Sequence, residues 1–156
     1  MNTKRRTFLK SSAAASAVGI AVSAGLITPR SVFAAWPKAA FEATDVNAAL
    51  SGAVGGTSMA DSSDIKVKAP DIAENGAVVP ITVTSDIAGT ESISILVPNN
   101  NTPLAASFNL GKNADGFIST RIKMGKTSDV VVVVKAGGKL YTAKKEVKVT
   151  IGGCGG

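Results

Sequence analysis

The sequence predicts an all-β domain, an antiparallel sandwich of immunoglobulin-like type with an N-terminal helix and a C-terminal arm. Three observations carry this reading. From Ile65 onward, apolar residues recur at every second position, the period of a strand with one buried face. The runs are short and are separated by turn residues such as Asn75-Gly76, Pro98 to Pro103 and Gly137-Gly138. Seven such runs fit between residues 65 and 151, the number and spacing expected of a sandwich. The paired cysteines and core tryptophan of antibody domains are missing, so the predicted likeness is one of architecture.

The first 34 residues read as an export signal rather than as part of the domain. Arg5 and Arg6, followed by Phe8, Leu9 and Lys10, resemble a twin-arginine signal, with Lys4 where such signals usually carry a hydroxyl residue. Nineteen uncharged residues rich in Ala, Ser, Gly and Val separate Lys10 from Arg30. That length could just span a bilayer, but the stretch is too weakly apolar to favour an anchor. Val32-Phe33-Ala34 fits a small-residue cleavage site, which starts the mature chain at Ala35, or one residue later. Removing 34 residues from 156 leaves 122, enough for one domain with a modest core.

Cleavage also changes the charge. Five of the 17 Lys and Arg lie in the signal (Lys4, Arg5, Arg6, Lys10, Arg30), leaving 12 against 11 Asp and Glu, a net charge of +1. A nearly neutral mature chain gives no ground for a nucleic-acid partner, and no membrane association is expected once the signal is gone. The expected location is the periplasm. The twin-arginine route exports folded cargo, usually because a cofactor is loaded first. No cofactor is expected here: there is no Gly-rich phosphate loop, no clustered ligand set and no haem-attachment motif. One explanation is that the chain carries a partner without its own signal.

The elements of the mature chain follow in order. Trp36-Pro37 opens a helix to about Leu50, since Pro fits a first helical turn. Residues 52–64, rich in Gly, Ser and Asp, read as a linker that completes an N-terminal region over 35–64. The strands then run through Ile65, Val67 and Ala69; Val79, Ile81 and Val83; Ile93, Ile95 and Val97; Leu104, Ala106, Phe108 and Leu110; and Ile118 to Met124. Val130 to Val134 is a continuous apolar run, expected of a strand covered on both sides or of an edge that will be paired. Gly137-Gly138 marks a hairpin into the last strand, Leu140 to Ile151.

Within this body the chemistry is sparse. The five aromatic residues of the mature chain, Trp36, Phe41, Phe108, Phe117 and Tyr141, read as packing residues rather than a base-stacking platform. Lys66, Lys68, Lys144 and Lys145 read as solvated strand faces, and Arg121 as a surface ion pair rather than an anion clamp. No two carboxylates form a defensible acid/base couple. With no histidine and one cysteine, a metal site is not expected.

The informative residues are the last five, Gly152-Gly153-Cys154-Gly155-Gly156. Glycines give a backbone with almost nothing to bury, so residues 152–156 are expected to form an exposed, disordered arm. Three residues beyond Ile151 reach roughly 10 Å when extended. Cys154 has no second cysteine to pair with inside the chain. An odd cysteine in an exported protein is either an interchain disulfide or a reactive thiol. Nothing near it in sequence lowers its pKa or supplies a base, since Lys148 is six residues back. The thiol therefore reads as a place where other proteins do chemistry. An exported structural or adhesion sandwich with a disulfide-forming tail is the competing reading.

Together, the twin-arginine signal, the small sandwich and the terminal Gly-Gly-Cys-Gly-Gly resemble the SoxY family of sulfur carriers in periplasmic thiosulfate oxidation. The resemblance extends to Ala69-Pro70-Asp71-Ile72-Ala73-Glu74-Asn75-Gly76 with Val79-Pro80, and to Thr120-Arg121-Ile122-Lys123. It implies a heterodimer with SoxZ, a small signal-less sandwich protein. It also implies a chain of enzymes acting on Cys154. A SoxAX-like haem enzyme joins thiosulfate to the thiol, a SoxB-like metal-dependent hydrolase releases sulfate, and, where present, a SoxCD-like dehydrogenase oxidises the remaining sulfane sulfur. It implies no catalytic residue in this chain.

Overall fold

A computed structural model describes residues 37–150. In these residues two short helices precede nine strands. Helix α1 spans Lys38–Glu42 with Pro37 as its N-cap, and α2 spans Val46–Val54. The single helix expected up to Leu50 is thus broken. Ala43 leaves α1 in an extended conformation, and Asp45 starts α2 by accepting hydrogen bonds from the backbone N–H groups of Asn47 and Ala48. Gly55 then closes α2 in the left-handed conformation.

The strands are β1 (Ala60–Asp61), β2 (Ile65–Lys68), β3 (Ile72–Ala73), β4 (Val79–Ser85), β5 (Thr90–Leu96), β6 (Leu104–Asn109), β7 (Phe117–Ile122), β8 (Ser128–Ala136) and β9 (Lys139–Val149). The seven longer ones are those the alternation predicts. The stretch read as a linker over 52–64 is different: residues 52–54 complete α2, and β1 pairs in parallel with Tyr141 and Thr142 of β9. Within the described residues β9 ends at Val149, short of the expected Ile151.

Two sheets form the sandwich, one in the order β1-β9-β8-β5-β6 with β3 also on β9, the other in the order β2-β4-β7. Leaving aside the two-residue strands, these are the G-F-C-C′ and A-B-E sheets of an immunoglobulin-like domain. The β8–β9 hairpin turns at Gly137 and Gly138, with φ of 55° and 73°. Both are in the region a two-residue hairpin of this type needs and only glycine adopts freely.

The valine run of β8 is covered on both sides. Val130, Val132 and Val134 face the inter-sheet core with Ile81, Val83, Ile93 and Ile95. Val131 and Val133 face the other way, into a second cluster with Ala40, Ala49, Leu50, Val54, Leu96 and Leu104. The helices therefore form a third layer on the outer face of the larger sheet. The same layer buries Ser94, whose hydroxyl meets that of Ser107 across the β5–β6 pair at 2.9 Å. The outer face of the β2-β4-β7 sheet stays open. Lys66 bridges to Asp86 there at 2.6 Å. Arg121 is exposed opposite Pro80 and, among the described residues, makes no ion pair, which corrects the expected surface bridge.

Candidate functional site

Cys154 and the glycines Gly152, Gly153, Gly155 and Gly156 lie outside the described residues, as do Arg5, Arg6, Phe8 and Leu9 of the signal. The structure does show the ground from which the tail departs. That ground is built from three segments around the end of β9.

The first is the loop 71–78. Its strand β3 pairs in parallel with Lys148 and Val149, so the last turn of pairing on β9 comes from a segment far away in sequence. The Lys148 N–H donates to the Asp71 carbonyl at 3.0 Å and the Thr150 N–H to the Ala73 carbonyl at 3.3 Å. Asp71 adds an ion pair with Lys145 at 3.0 Å. Asn75-Gly76 is a turn, as expected, with the Asn75 side-chain oxygen accepting from the Ala77 N–H at 2.9 Å.

The second segment is the turn after β7, residues 123–127. The Met124 N–H donates to the Gly76 carbonyl at 2.7 Å. The Thr127 hydroxyl accepts from the Val149 N–H at 3.0 Å. Gly76 sits so close to this turn that a Cβ there would run into the Met124 carbonyl and approach Val149 Cγ1 to 3.0 Å. Here glycine is required for close approach rather than for an unusual φ.

The third segment is the loop 98–103. Asn100 uses its whole amide, donating to the Lys123 carbonyl at 2.7 Å and accepting from the Gly125 N–H at 2.9 Å. Asn99 donates to the Thr127 carbonyl at 2.7 Å. Thr150 is therefore held on a stiff, hydrogen-bonded platform. The sequence marked Asn75-Gly76 and the loop 98–103 but not the turn 123–127, whose Met124 was expected in the strand that the structure ends at Ile122; nor did it mark their convergence, because every tie is between segments distant in the chain. Thr127, which fixes the end of β9, carried no signal at all.

Among the described residues no group of three or more His, Cys, Asp or Glu converges in a way that could hold a metal, and no helix is long and apolar enough to cross a membrane. The Lys66 ammonium is held above the ordinary lysine value of 10.5, chiefly by its hydrogen bond to Asp86. It lies on the open sheet face, in an ion pair of its own.

Fold and platform together define a small immunoglobulin-like protein built to fix the root of its C-terminal segment. Residues 50–154 match the family described as "Sulfur oxidation protein SoxY", a match that reaches Cys154 itself. The chain belongs to the SoxY family. Among solved structures it is similar to the sulfur carrier protein SoxY from Chlorobium limicola f thiosulfatophilum, with 48% identity and a TM-score of 0.60 over 66% of this chain and 94% of that one. It also resembles the superoxide reductase (neelaredoxin) from Ignicoccus hospitalis at 16% identity and a TM-score of 0.48, covering 55% of this chain and 80% of that one. That likeness is too remote to carry an argument. No curated protein matches the sequence.

Proposed function

We propose that this protein is a covalent carrier of sulfur intermediates in thiosulfate oxidation, with the Cys154 thiol as the attachment point. The observation that carries the reading is the family match, which runs through the sandwich to the only cysteine in the chain. The platform supports it by fixing Thr150, four residues before Cys154 in the chain.

Loading is an oxidation. The thiol and thiosulfate give Cys–S–S–SO3⁻, releasing one proton and two electrons to a SoxAX-like haem enzyme. A SoxB-like hydrolase then directs water at the sulfonate sulfur, so that sulfate leaves and a persulfide remains on Cys154. A SoxCD-like dehydrogenase, where present, oxidises that sulfane sulfur, and a second hydrolysis restores the thiol. The chain contributes no catalytic group to these steps. It keeps each intermediate tethered, which raises its effective concentration at the next enzyme and confines a reversible thiol modification to one site.

The protein works as a heterodimer with a SoxZ-like subunit, exported with it to the periplasm on the signal of Arg5, Arg6, Phe8 and Leu9. The test is reconstitution with the haem enzyme and thiosulfate. Wild type should take up the adduct, and Cys154→Ser should take up none while melting like wild type. Adduct formation by the serine variant would refute the assignment.

A further inference from the structure

We propose that the surface encircling Thr150 is a docking collar for the enzymes that act on Cys154, with Ile72 and Val78 as an apolar seat and Lys123, Lys126 and Lys148 selecting an acidic rim. The inference rests on the carrier reading and adds to it the surface and the chemistry of the partner.

The length of the tail gives the first argument. Thr150 is tied to Ala73 and its neighbour Val149 to Thr127. Four residues, Ile151 to Cys154, span at most roughly 13–14 Å at about 3.3–3.6 Å per residue. An enzyme whose reacting centre is recessed below its surface uses up part of that length inside itself. Its mouth must then rest against whatever surrounds Thr150.

What surrounds Thr150 is not typical solvent-facing loop. Among the described residues the exposed large hydrophobics are Ile72 at 56%, Val78 at 51% and Phe117 at 53%. Two of these three lie on the loop 71–78, and Phe117 lies at the other end of β7, opposite Thr84. Pairing of β3 with β9 uses backbone groups, so an exposed polar residue would serve at position 72 as well as isoleucine. Single exposed hydrophobics are ordinary, but here two fall on the one short loop whose backbone pairs with the end of β9.

Charge gives the next argument. Lys123, Lys126 and Lys148 are all exposed, and none is in an ion pair among the described residues. Of the acidic groups on the loop, Asp71 is engaged by Lys145, leaving Glu74. The collar is thus positive around an apolar seat. The matching partner is a protein whose active-site mouth has an apolar lip flanked by carboxylates. The hydrogen bonds through Gly76, Asn99, Asn100 and Thr127 hold the collar in place before docking, which lowers the cost of binding. Such a footprint is small, as a carrier that must leave each enzyme requires.

The test uses the mature chain in complex with its SoxZ-like subunit and two double variants, Ile72→Ser with Val78→Ser, and Lys123→Glu with Lys126→Glu. Enzyme-driven thiosulfate loading is measured against carrier concentration. Chemical loading is measured beside it with tetrathionate, which converts the thiol to Cys–S–S–SO3⁻ and releases thiosulfate and a proton without any enzyme. The expected result is a loss of roughly tenfold or more in kcat/KM in each variant, carried by KM, as for removal of central interface contacts. Loading of the glutamate variant should also lose the salt dependence that charge steering gives the wild type. Tetrathionate loading and melting temperature should match wild type. Wild-type kcat/KM in both variants overturns the collar while leaving the carrier reading standing. Loss of the SoxZ-like subunit from either variant would place that subunit on the collar and overturn the proposal as well. If wild type itself takes no thiosulfate, the carrier reading fails and the collar with it.

Discussion

Cys154 stands among glycines, and that setting decides what substitution there and beside it should do. Glycine has no side chain to bury, so replacing Cys154 or a glycine beside it is expected to leave the domain's melting temperature unchanged. Gly153→Val or Gly155→Val adds a branched side chain that stiffens the backbone next to the thiol. If the arm threads into narrow channels, either change should cut enzyme-driven loading sharply, while alkylation by a small maleimide stays at the wild-type rate. Loading of both valine variants at the wild-type rate would argue against a threaded arm. Composition alone singled out Cys154 and its glycines as the place to look, and those residues lie outside the described structure. Thr127 was not legible, because its value lies in accepting one hydrogen bond from Val149, 22 residues away. Arg121 was legible as a surface residue, but its expected ion pair depended on which acid the sheet brings near, and the sheet places it opposite Pro80.

At the scale of elements, the long strands were readable because one buried face imposes a period of two. The two-residue strands β1 and β3 were not, since a pair of residues has no period and both pair with β9 across long sequence distances. The turn at Asn75-Gly76 was visible, but not that Gly76 lies against the next turn. Gly76→Ala should therefore destabilise the domain by about 1–3 kcal/mol, since the new Cβ would press on the Met124 carbonyl. Thr127→Val should cost about 1 kcal/mol by removing the acceptor of the Val149 N–H. Urea unfolding checks both, and no loss in the alanine variant would mean that the loop yields and does not clamp β9. The Lys66–Asp86 pair gives a pH signature. Asp86 holds the Lys66 proton more tightly in the folded chain, so the pair's contribution is complete below pH 10.5 and is lost as pH rises through the folded value. It is small because the pair is exposed. In Asp86→Asn the urea midpoint should lose that part of its decline above pH 10.5, and an unchanged profile would show that the pair adds nothing.

On the scale of the whole molecule, the sandwich was legible and its third layer was not. The valine run of β8 left open a strand covered on both sides or an edge that will be paired; α1 and α2 decide for the first, but they are short and rich in small residues, and nothing in their pattern named the sheet as their partner. The platform under Thr150 was invisible for a related reason: three loops build it, and only the fold brings them together. The sandwich also leaves edges at β2, β6 and β7, and β6, from Leu104 to Asn109, carries no charge to protect it. Co-expression with a SoxZ-like protein should give a soluble one-to-one complex that survives reduction. A complex that separates on adding a reductant alone would show that a disulfide, and not a surface, holds it.

Whether sulfur intermediates ride on Cys154 can be read by mass spectrometry of the C-terminal peptide. Protein is purified from cells grown on thiosulfate and cut with trypsin, which releases Val149 to Gly156 as one peptide after Lys148. The carrier account predicts sulfonate-bearing and sulfane-bearing forms of that peptide beside the free thiol, all modified at Cys154. A peptide found only as thiol or as disulfide under turnover, or adducts on any other residue, would contradict it.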